Sequence, residues 1–102
     1  MVRPSISLER QFAEELKETN KMSAKLGYFS PEFDAMLKIH GGVNTATRLV
    51  GAGTFQSGMR KVCKLGHPEL TTEAVMLRPE FQSLFSKSQL ECARWRLEQM
   101  GF

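Results

Sequence analysis

The chain has little of what catalytic and metal centres are usually built from. Its 102 residues include two cysteines, two histidines and one aspartate. With no paired C-x-x-C knuckle, the Cys/His content does not form a zinc-ribbon pattern. Long apolar runs are missing too: Ala74-Val75-Met76-Leu77 is the longest, far from the ~20 residues a membrane span needs. The first residues lack the apolar core of a secretory signal, and early glutamates argue against an organellar transit peptide. A cytoplasmic chain with no membrane association is therefore expected, with Cys63 and Cys92 as reduced thiols.

Charge of one sign is also lacking. The net charge is +3, and it is spread out: residues 1–51 carry seven Lys/Arg against six Asp/Glu, and residues 52–102 carry seven against five. A pI near 9.1 permits nucleic acid or an acidic partner without demanding either. Composition is that of an ordinary globular protein, 41% apolar and 25% charged. A chain of this length buries roughly two-thirds of its unfolded surface, enough for one core without staples. One domain spanning residues 1–102 is expected.

What the chain does have is punctuation. Ser7 can cap a long first helix running to about Lys25, with Leu8, Phe12 and Leu16 at i, i+4 and i+8 as its apolar stripe. Gly27 supplies its stop. Ser30-Pro31-Glu32 opens a second helix carrying Phe33, Met36, Leu37 and His40, which Gly41 ends. Val43, Ala46, Leu49 and Val50 read as a third, stopped by Gly51 and Gly53. After a polar turn at Ser57-Gly58, Met59, Val62, Cys63 and Leu65 form a fourth that closes at Gly66. Pro68 disfavours helix at His67, making a linker. Thr71 caps a segment over 72–77, Pro79 restarts a turn carrying Phe81, Leu84 and Phe85, and Ser86 with Gln89 forms a capping box for the last helix. No sustained alternation signals a strand. The expected fold is all-α: a compact bundle of five or six short helices, with a longer charged N-terminal helix.

Chemical motifs are weak. His40, Cys63, His67 and Cys92 equal in number the ligands of a tetrahedral zinc site, but Gly66 and Pro68 break the helix between Cys63 and His67. Cys63 falls on a core-facing position, where free cysteine acts as a small hydrophobe. Asp34 and His40, six apart, project from different faces, and Glu14-Glu15 sit on a solvated face. The glycine pairs follow no strand and so lack the context of a phosphate-binding loop. No catalytic residue, metal site, cofactor or small-molecule substrate is expected. The basic residues offer more. Arg60, Lys61 and Lys64 share the polar side of the fourth segment, and Arg94 and Arg96 flank Trp95 on the last helix. These residues can contact a nucleic acid or a protein partner. Residues 43–66 have a helix-turn-helix flavour that would turn Gln56, Ser57, Arg60 and Lys61 toward a major groove, although the connection is longer than that motif uses. The narrow stripe Leu8, Phe12 and Leu16 is the candidate docking or self-association face.

From Leu26-Gly27-Tyr28-Phe29 onward the chain resembles an uncharacterised family of small bacterial helical domains. The likeness rests on Phe33-Asp34-Ala35-Met36-Leu37, His40-Gly41-Gly42-Val43, Arg48-Leu49, Ser57-Gly58-Met59 and Leu65-Gly66. Its strongest part is Leu70 to Leu77, Pro79-Glu80-Phe81, Leu84-Phe85 and Ala93-Arg94-Trp95-Arg96-Leu97 to Gly101-Phe102. It covers 27–102 as a helical core and leaves 1–26 outside; the chain departs from it at Cys63 and His67-Pro68. Domains of this family occur alone or attached to restriction-type nucleases and other defence or mobile-element proteins. The resemblance implies a DNA-processing neighbourhood and carries over no site residue. The expected function is a non-catalytic accessory domain that binds a macromolecule, a protein partner or a second copy; the alternative is a nucleic-acid-binding domain.

Overall fold

The computed structural model describes residues 7–51 and 57–102, and among them every regular element is helical. Residues 1–6, the stop at Gly53 and the groove candidate Gln56 lie outside the described residues, as does the Ser57 side chain. Helix α1 spans Leu8–Lys25, α2 Pro31–Val50, α3 Ser57–Lys64, α4 Thr72–Met76 and α5 Lys87–Gln99, with 3₁₀ turns at Pro68–Leu70 and Pro79–Leu84. The radius of gyration, 13.1 Å, is that of a folded domain of about 100 residues.

Local chemistry explains the boundaries. The Ser7, Ser30, Thr71 and Ser86 hydroxyls each accept a hydrogen bond from the backbone N–H three residues on. At α5 the reciprocal bond is present, with the Ser86 N–H donating to Gln89 Oε1 at 2.8 Å. Helix α1 ends in a paired closure in which Tyr28 N–H donates to the Ser23 carbonyl and Gly27 N–H to that of Ala24. The same pattern closes α3 at Gly66 and α5 at Gly101. Ser57 and Gly58, expected as a turn, are instead backbone of the first turn of α3.

The expected second and third helices are two halves of α2, joined without a linker across a break at Gly41 (φ 79°, ψ 171°). Only glycine adopts that backbone region readily. Across the break the buried Thr45 hydroxyl donates to Met36 O at 3.1 Å, tying the second half to the first. Gly42, next in sequence, serves packing. A Cβ there would lie 2.8 Å from Ala13 Cα, so its hydrogen is what lets α2 meet α1 at this distance.

The core joins Phe12 and Leu16 of α1 to Leu37, Ala46 and Val50 of α2, Val75 and Met76 of α4, Phe81 and Phe85 of the second 3₁₀ region, and Ala93 of α5. Phe12 meets Phe81 and Phe85 edge to face, with ring centroids 5.3 and 5.1 Å apart. This corrects two expectations. Helix α1 is not appended to a core made of 27–102: Phe12 and Leu16 are 0% exposed and Leu8 is packed against the same cluster. For the same reason Leu8, Phe12 and Leu16 are not a docking face, because the chain's own helices occupy the stripe. An Arg78–Glu15 ion pair of 2.6 Å further ties α1 to the segment after α4.

Candidate functional site

Helix α3 turns Met59, Val62 and Cys63 inward and leaves Arg60, Lys61 and Lys64 exposed, as the 3.6-residue period of the sequence requires. The Lys61 ammonium lies 5.2 Å from the centroid of the Tyr28 ring. On α5, Arg94 and Trp95 are exposed, but Arg96 is not. It is 3% exposed, and its Nε–H donates to Glu73 Oε2 at 2.8 Å, with Glu73 equally buried. The expected cluster of Arg94, Trp95 and Arg96 is therefore divided. Arg96 follows Ala93 by three residues and shares its inward face, so it reaches no outside partner.

The four residues counted as zinc ligands are not gathered. Among the described residues no three His, Cys, Asp or Glu side chains come together as a metal site. Cys63 is a buried free thiol whose pKa is pushed up, first by burial and second by the nearby Glu73 charge, which opposes an activated thiolate. Cys92, half-buried, donates its thiol hydrogen to Val50 O at 3.4 Å. His67 Nδ1 sits 2.8 Å from Glu69 Oε2 on the surface, and that hydrogen bond lowers the Glu69 pKa.

A cavity of about 220 Å³ opens between the second half of α1, the start of α2 and the stretch from α3 to α4. Its apolar wall includes Met36, Leu49, Met59 and Val62. Its polar wall comes from Thr19, Asn20 and Ser23 of α1, all buried, and from Thr71 and Glu73. Asn20 holds the elbow between α1 and α2: Nδ2 donates to Ser30 O at 3.2 Å, and Oδ1 accepts from Ser30 N at 3.4 Å. Thr19, Ser23 and Thr71 donate their hydroxyl hydrogens to the carbonyls of Leu16, Asn20 and Pro68.

Sequence reasoning missed this polar wall, although a signal existed. The inward register of α1 continues past Leu16 through Thr19, Asn20 and Ser23, so a buried stripe changes from apolar to polar midway. Arg96 at i+3 from Ala93 was a matching sign on α5.

No helix among the described residues is long and apolar enough to cross a membrane. No family model, curated protein or solved structure matches the chain.

Proposed function

We propose that this protein is a non-catalytic helical domain that docks on a protein partner, in the bacterial defence or mobile-element setting its family resemblance implies. One observation carries the reading: the elbow between α1 and α2 leaves Met22, Leu26 and Phe29 at 46%, 41% and 48% exposure within eight residues of chain. Met22 and Leu26 are one helical turn apart, and Phe29 follows just beyond the closing turn. Apolar side chains close together in sequence on a capped, hydrogen-bonded elbow suit a protein interface better than a phosphate backbone. The stripe formerly expected to dock is replaced by this elbow.

The nucleic-acid alternative keeps Arg60, Lys61 and Lys64 on one short helix, together with Arg94, and loses Arg96 to the interior. The test compares proteins retained from native-host extract by the wild-type chain and by Met22→Glu/Phe29→Glu, whose fold is checked by circular dichroism. The proposal expects a specific partner kept by the first and lost by the second. If the double variant retains the same partners, or if the chain instead binds DNA steeply weakened by salt and by Arg60→Ala/Lys61→Ala, docking through the elbow is wrong.

A further inference from the structure

The cavity beside the elbow has a chemical bias that docking does not require. Two carboxylates line it, Glu32 at the rim and Glu73 deeper in, and no Lys, Arg or His is among its described lining residues. Glu73 is 3% exposed, and its one hydrogen bond, from Arg96, falls on Oε2; Oε1 accepts none among the described residues. The hydroxyls of Thr19 and Ser23 have committed their hydrogens to carbonyls of their own turns, so what they offer a ligand is lone pairs; Thr71 donates to Pro68 O and already accepts from Ala74 N. The charged groups of the described lining are thus carboxylates alone, Glu73 paired with Arg96 and Glu32 exposed, set among the hydroxyls of Tyr28, Ser30 and Thr72 and opposite an apolar wall of Met36, Leu49, Met59 and Val62. At about 220 Å³ the space is smaller than a drug-sized pocket, typically about 300–1,000 Å³, yet several times the ~30 Å³ share of one water.

We infer that this cavity binds a small organic ammonium ion, its N–H groups donating to Glu73 Oε1 and the α1 hydroxyls and its hydrocarbon body lying against the two methionines, Leu49 and Val62. Charge-assisted donation to a carboxylate is roughly twice as strong as a neutral hydrogen bond, and a partly dry site strengthens it. The 2.8 Å bond from Arg96 Nε–H to Oε2 orients the Glu73 carboxylate and leaves Oε1 for the ligand. A carboxylate or phosphate ligand would lie beside Glu32 and Glu73 with no cationic side chain of the described lining to meet it.

Benzylamine, protonated at neutral pH, is the probe; benzyl alcohol and benzoate are its neutral and anionic counterparts. In an NMR titration of the full chain, benzylamine is expected to shift the amides of Thr19, Ser23 and Thr72 saturably and to bind about tenfold or more tighter than benzyl alcohol, with benzoate silent. Glu32→Gln, at an exposed position, is expected to weaken binding several-fold while the chain stays folded. Ser23→Leu, filling the cavity, abolishes it. Equal binding of amine and alcohol, binding of benzoate, shifts scattered away from the cavity, or no saturation with the folded wild-type chain would each overturn the inference.

Discussion

Glu73 and Arg96 show how one buried contact governs two helices. Each is nearly sealed from water, and each is the reason the other is tolerated. Truncating either one strands a buried charge. Glu73→Ala or Arg96→Ala is therefore expected to lose about 3–5 kcal/mol in urea unfolding, while Glu73→Leu/Arg96→Met recovers most of that loss. Single variants with wild-type midpoints would show the pair to be unimportant. Arg96 was legible only through its register with Ala93, and Glu73 was not, because the pair forms only when α4 and α5 meet, 23 residues apart in sequence. Cys63 was legible: its register with Met59 and Val62 is a local property of α3. Arg94 and Trp95 were separated from Arg96 by the same register, a 100° step per residue that composition alone obscures.

At the scale of elements, what could be read was what is decided within a few residues. The four hydroxyl caps and the closures at Gly27, Gly66 and Gly101 depend on side chain and backbone inside one turn, and their sequence signals survive folding. The pair Gly41-Gly42 was only half legible. Gly41, expected as a stop, makes the break, but Gly42 makes the close approach to α1, a role that needs a neighbour from residue 13. The two roles separate experimentally. Gly41→Ala has open space around the new methyl and loses about 1–3 kcal/mol through backbone strain. Gly42→Ala meets Ala13 backbone at 2.8–3.0 Å and also loses about 1–3 kcal/mol, since overpacking outweighs the ~1 kcal/mol helix-propensity gain of alanine. Urea midpoints check both, and a stabilised Gly42→Ala would contradict the close approach.

For the whole molecule, the all-helical class was legible from punctuation and from missing alternation, whereas the arrangement was not. Sequence alone presents α1 as a narrow seam on a charged helix, a pattern that fits an outside partner and an inside one equally well. The fold chooses inside, with Phe12 wedged against Phe81 and Phe85 and with Thr19, Asn20 and Ser23 carrying the same face into a polar cavity. That choice makes the α1 stripe part of the core and leaves Met22, Leu26 and Phe29 as the exposed apolar residues of the proposed docking elbow. The central claim is that the α1 stripe belongs to the chain's own core. Equilibrium unfolding of Leu16→Ala in urea tests it most directly. A loss of about 2–5 kcal/mol is predicted for a fully buried leucine, and a variant as stable as the wild type would contradict it.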